Sequence, residues 1–184
     1  YLFAAISSLI GLTLLWFVKG TFKEYSKREP FWNDIKFGLR YIWIVTPIRK
    51  LLLLSLLMEA FGFSHLVMMP VMARDVLGVG PEGLGYLSAA SGLGATMSTL
   101  MVASLGDFQH KGLLLTFSAI GTGIALIAFA FSPWFAISII MVGLVGALIM
   151  AYDVTMGTML QIMSDDDMRG RVLGFYGLTF GFTP

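Results

Sequence analysis

The stretch WFAISIIMVGLVGALIMAYDVTMGTML, residues 134–160, carries a single charged side chain, Asp153, within a long apolar run. An α-helix needs about 20 such residues to cross roughly 30 Å of hydrocarbon. The pattern recurs on both sides of this stretch. Apolar runs cover 1–18, about 51–73, about 84–105 and about 113–131, and another opens near Val172. None shows the alternation over about 10 residues that a barrel strand requires. Backbone groups in lipid must pair within their own segment, which leaves helices. The fold class read from the sequence is therefore all-α, a polytopic membrane helix bundle. The first run begins at Tyr1 and the last is cut at Pro184, so the sequence reads as a piece of a longer membrane protein.

Composition supports that solvent. Of the 184 residues, 57% are apolar and 12% charged, against about 45–50% and about 25% in soluble domains. Mean hydropathy is +0.84. A net charge of +1 creates no field for nucleic acid. The absence of cysteine excludes disulfides, thiolate metal sites, iron–sulfur clusters and thiol catalysis. Two histidines, His65 and His110, are too few for a histidine metal cluster. Neither a metal nor a cofactor is expected.

The loops set an orientation. Eleven of the 12 cations fall in segments 19–50, 106–112 and 163–171, leaving Arg74 alone on the opposite side. The positive-inside rule puts those three segments in the cytoplasm. Within 19–50, a charged linker precedes an amphipathic helix predicted over about 30–46, with Pro30 suited to its first turn. Phe31, Trp32, Ile35, Leu39 and Ile42 recur at helical spacing, so this helix is expected to lie in the membrane interface. It reads either as a surface anchor or as a partner-binding helix. Small residues on the 84–105 run and at Gly143, Ala147 and Ala151 predict close helix packing.

Several motifs carry no chemistry here. Gly78-Val79-Gly80-Pro81-Glu82-Gly83 has the letters of a dinucleotide fingerprint without its strand–helix context. It reads as a tight turn opening a span. Asp165-Asp166-Asp167 lacks the glycine and distal glutamate of a calcium loop. No P-loop is present in this sequence, so work would draw on an ion or substrate gradient, or on a part of the protein outside it.

The informative side chains are carboxylates inside spans, because charge there is costly and usually faces a bundle interior or a watery cavity. Glu59 lies near the middle of the 51–73 run and Asp153 in the inner half of the 134–160 run. Glu59 reads as a proton- or substrate-coupling group, or as a protonated carboxyl in an interhelical hydrogen bond. Asp153 reads as a cavity residue or as one that orders the inner loops. The two are expected on different spans and at different depths. His65 falls six residues from Glu59, off its face, and reads as a packing or cavity residue. At the cytoplasmic rim, Asp107, Asp167, Arg169 and Arg171 can form pairs that break and remake as a bundle opens, or can be solvated turn residues.

The order of spans, the amphipathic linker and the short inner loops resemble the major facilitator superfamily. The similarity is strongest to its bacterial exporter branch, which includes the enterobactin exporter and macrolide-efflux-like proteins. The residues that carry it are Ala73-Arg74-Asp75-Val76-Leu77-Gly78-Val79-Gly80-Pro81-Glu82-Gly83-Leu84-Gly85, then Gly106-Asp107, then Asp167-Met168-Arg169-Gly170-Arg171-Val172. The resemblance implies a twelve-span protein of two six-span halves. Residues 1–18 would then be the last span of the first half, 19–50 the interhalf linker, and 51–184 four spans of the second half plus the start of a fifth. It also implies alternating access around a central cavity. Gly106-Asp107 and Lys111 would fall on the superfamily's inner-loop signature, from which Ala103 and Phe108-Gln109-His110 depart. Arg169 and Arg171 fit the cytoplasmic gate better.

The expected function is proton-coupled export of a small amphipathic molecule, siderophore- or drug-like, by a monomer in the bacterial inner membrane. Lipid, a small-molecule substrate and protons are its expected partners. Two alternatives stand beside it: a non-transporting receptor or scaffold using 19–50, and a membrane-embedded enzyme using Glu59 and Asp153 as an acid/base pair.

Overall fold

A computed structural model of the protein describes residues 8–11, 13–14, 31–106 and 108–182. The chain divides into two units, residues 1–33 and 34–184. In the first, the described residues 8–11 and 13–14 are helical, and the Thr13 hydroxyl donates to the carbonyls of Leu9 and Ile10. The rest of the 1–18 run, the charged linker and Asp107 lie outside the described residues.

Seven α-helices follow: α1 Phe31–Ile44, α2 Thr46–Gly62, α3 Ser64–Val71, α4 Gly80–Ser104, α5 Lys111–Ala130, α6 Phe135–Met163 and α7 Asp166–Thr179. No strand occurs among the described residues. Among the described residues, three segments are long and apolar enough to cross a membrane: Thr46–Val76, Lys111–Ala130 and Phe135–Met163. α4 has the length, at 25 residues, but its Gly, Ser and Thr content makes it less apolar.

The Thr46–Val76 segment is not one smooth helix. It is interrupted at Phe63 between α2 and α3, and Pro70 lies inside α3. Proline lacks the N–H that would bond back four residues. A π-helical turn at Met72–Val76 follows directly. The next turn needs glycine twice, since Gly78 and Gly80 both take φ of +62°, where other residues are strained. Pro81 then enters the first turn of α4. The glycine-rich segment is thus a backbone turn.

α6 is the centre of the bundle, with α4 and α5 as its most extensive neighbours. Its interface with α4 brings backbones together. A Cβ added at Gly94 would overlap the Gly143 carbonyl oxygen, and one at Gly146 would overlap that of Ser91. α5 shows which solvent the bundle expects. Its buried stripe is Leu115, Ser118, Thr122, Ala125 and Phe129. The opposite, exposed stripe is Leu113, Phe117, Ile120, Ile124 and Ile127. An exposed face more apolar than the buried one suits lipid, where packing of small residues replaces the hydrophobic effect between helices.

Below this interface, Ile48, Leu115, Tyr152, Met156, Leu160, Val172 and Tyr176 form one apolar cluster that joins α2, α5, α6 and α7. Ile42 of α1 belongs to the same cluster. The amphipathic helix therefore turns one side to the protein. Phe37, Leu39, Trp43 and Ile44 stay exposed, and the Arg49 guanidinium sits 5.4 Å above the Trp43 ring.

Candidate functional site

The buried face of α2 is Ile48, Ser55, Glu59 and Gly62, a stripe that repeats every three to four or seven residues. Glu59 is 1% exposed, an ionisable group enclosed in the membrane-capable segment Thr46–Val76. It is not isolated. On its own helix, Ile48 and Met58 pack into the cluster that holds Tyr152 of α6 and Tyr176 of α7.

The sequence reading put the two carboxyls at different depths. Counted along the helices from the end that α2 and α6 share, they come within about one turn of each other. α2 starts at Thr46 and α6 runs on to Met163, beyond the apolar runs at that end. At about 1.5 Å per residue, Glu59 lies roughly 20 Å from Thr46 and Asp153 roughly 15 Å from Met163, about one turn apart. Ile48 near the start of α2 and Leu160 near the end of α6 belong to one apolar cluster.

Hydroxyl groups tie the three helices. The Ser55 hydroxyl donates to the Thr179 hydroxyl at 3.2 Å, and Thr179 donates to the Tyr176 carbonyl at 2.7 Å. The Tyr176 hydroxyl donates to the Asp153 carbonyl at 3.4 Å. Tyr152 is fully buried, and its hydroxyl finds no hydrogen-bond partner among the described residues. Asp153 itself is half-buried and keeps an open edge. Ser55, Tyr152, Tyr176 and Thr179 escaped sequence reasoning. Ser55 carried a signal, since it sits four residues before Glu59 and so on its face. The tyrosines carried none, because an aromatic residue in an apolar run reads as packing.

His65 is buried too, but elsewhere. Its Nδ1 lies 2.7 Å from the Gly62 carbonyl oxygen, which can only accept, so Nδ1 carries the proton. Nε2 has no partner among the described residues. His65 lines a groove with Leu126, Phe129 and Ala130 of α5, apart from the carboxyl pair. The interruption at Phe63 lets residues six apart both point inward. Among the described residues, no group of three or more His, Asp or Glu could hold a metal ion.

The rim candidates separate. Asp167 is exposed in the first turn of α7, where the helix dipole favours an anion. Arg169 stays local, pairing with Asp166 at 2.7 Å and donating to the Gln161 carbonyl at 3.0 Å. Arg171 reaches another element: its guanidinium meets Asp34 of α1 at 2.7 Å. Asp107 lies outside the described residues.

Amphipathic helices with an apolar exterior, packed through glycines and carrying buried carboxyls, define a polytopic membrane protein. Residues 1–182 match the transmembrane secretion effector family, and the chain belongs to that family of the major facilitator superfamily. It is 30% identical over 111 residues to the enterobactin exporter EntS of Shigella flexneri, covering 60% of this chain and 27% of that protein. It is 31% identical over 93 residues to EntS of Escherichia coli O81, covering 50% of this chain and 22% of that protein. The chain thus spans about a quarter of the length of these curated relatives. No solved structure matches. The family and the apolar helices support a multi-pass protein of a bacterial inner membrane, in a family of transporters rather than enzymes.

Proposed function

We propose that the chain is the second-half portion of a secondary active exporter, with residues 1–18 and 19–50 as the preceding span and a cytoplasmic linker. In this reading a monomer moves a small amphipathic molecule by alternating access and exchanges it for protons. Glu59 and Asp153 carry the coupling proton. The observation behind this reading is the contrast in their exposure. Glu59, at 1% exposure, is open to a proton but not to an organic molecule, while half-buried Asp153 keeps an edge through which protons pass. Two carboxyls in one low-dielectric field cannot both hold a negative charge cheaply. They then titrate as a unit. Asp107, Asp167, Arg169 and Arg171 act at the cytoplasmic rim, and His65 serves the α5 side of the cavity. The printed name of the relatives makes a catecholate siderophore the first probe.

The test uses the full-length protein in proteoliposomes under a pH gradient. Internal pH is followed while siderophores, macrolides and lipophilic cations are added in turn. Proton flux triggered by one class, and lost in Glu59→Gln, is the expected result. Substrate movement that keeps its pH dependence in Glu59→Gln would falsify the coupling role. A membrane-embedded acid/base enzyme would use the same juxtaposition of carboxyls. It would also need an opening at Glu59 wide enough for a substrate, and the burial of Glu59 argues against one.

A further inference from the structure

α1 is fastened to α7 at three points along one of its faces. The Asp34 carboxylate accepts a hydrogen bond from the Arg171 guanidinium at 2.7 Å. The Tyr41 hydroxyl donates to the Asp165 carboxylate at 3.1 Å and accepts from the Asp165 backbone N–H at 3.2 Å. Asp165 is the residue that precedes the first turn of α7. Between these contacts, Gly38 gives the two helices their close approach. A Cβ there would lie 2.9 Å from the Phe175 ring and 3.3 Å from Arg171 Cβ. Positions 34, 38 and 41 are spaced four and three apart, which is one helical face.

The far end of α7 is fastened to the carboxyl-bearing helices. Tyr176 bonds to Asp153 on α6, and Thr179 to Ser55 on α2. The same short helix therefore links the linker helix to the surroundings of Glu59 and Asp153. The other charged groups in the first turns of α7 are engaged with each other or face outward. Arg169 is paired with Asp166, and Asp167 is exposed.

We propose that Asp34, Gly38 and Tyr41, together with Asp165 and Arg171, form a closure on the cytoplasmic side that holds α7 against α6 and shuts the carboxyl pair off from the cytoplasm until α1 moves. Asp34 and Tyr41 are positioning residues that act on the site through α7. The inference rests on the proton-coupled reading for what the closure protects; the closure itself stands on the contacts.

The segment contains no cysteine, so one reporter can be placed in it at buried Thr179, in protein free of other cysteines. In inside-out vesicles, a membrane-impermeant maleimide labels Thr179→Cys slowly. Adding Asp34→Asn with Tyr41→Phe raises the labelling rate by roughly tenfold and admits protons without substrate. The swap Asp34→Arg with Arg171→Asp restores slow labelling, which a folding defect would not do. Labelling unchanged by Asp34→Asn with Tyr41→Phe, in protein that elutes as one sharp peak, overturns the closure. Faster labelling without a proton leak supports the closure and counts against the proton-coupled reading, so the two fail separately.

Discussion

The two halves of α6 make opposite kinds of contact. Toward its start, the Ser91 carbonyl oxygen of α4 occupies the space where a side chain at Gly146 would begin, and the Gly143 carbonyl oxygen does the same at Gly94 of α4. Toward its end, Tyr152, Asp153 and Met156 meet α2 and α7 through rings, hydroxyls and carboxyls. The first contact has no flexible atom that can yield. The second is built from side chains that can change rotamer, partner and proton. One helix thus combines a fixed joint with an adjustable one. The small-residue face is accordingly a clamp between α4 and α6, and movement is more readily placed at the polar end.

Substitutions test this contrast, and the largest effects belong to the clamp. Gly94→Val and Gly146→Val force backbone apart, with an expected loss of about 3 kcal/mol or more. Size-exclusion profiles and thermal unfolding of the membrane-expressed protein in detergent would register it as lost monodisperse protein. Gly85 and Gly92 lie on the same helix with nothing near their missing Cβ positions. Gly85→Ala and Gly92→Ala should leave the unfolding temperature unchanged or slightly raised; an equal loss at all four glycines would remove the clamp from the comparison.

At the polar end the effect should fall on activity rather than folding. Glu59→Gln keeps shape and hydrogen-bonding capacity, so the protein should fold while pH-driven transport drops at least about tenfold, or about 1.4 kcal/mol. A Glu59→Gln protein that transports normally but unfolds early would make Glu59 a structural hydrogen-bonding group. The Ser55–Thr179 contact is worth less. A double-mutant cycle with Ser55→Ala and Thr179→Val should give a coupling energy near the average for interhelical bonds in lipid, about 0.6 kcal/mol. The smallest change is Arg169→Ala. Its partners are exposed Asp166 in its own helix start and the Gln161 carbonyl in the last turn of α6, so stability should move by no more than about 0.5 kcal/mol. A large effect there would show that Arg169 holds the fold through more than these two contacts.

How far each part could be read in advance follows from where its information lies. Long apolar runs announce helices, because the cost of unpaired backbone in lipid depends on the segment alone. The turn at Gly78 and Gly80 was legible for a similar reason, as positive φ is a local demand. Glu59 and Asp153 stood out because charge in an apolar run is costly wherever the run packs. Arg171 stood out as a rim cation, but its partner Asp34 did not, being 137 residues away with many carboxylates nearer in the chain.

Helix formation, membrane character and the identity of the costly carboxyls were thus already fixed along the chain, by energies that each segment meets within itself. Which carboxyl meets which tyrosine, which glycine touches backbone, and which linker residue holds Arg171 depended on three-dimensional packing. Those contacts join residues up to 137 positions apart, and no local energy along the chain selects among the possible partners.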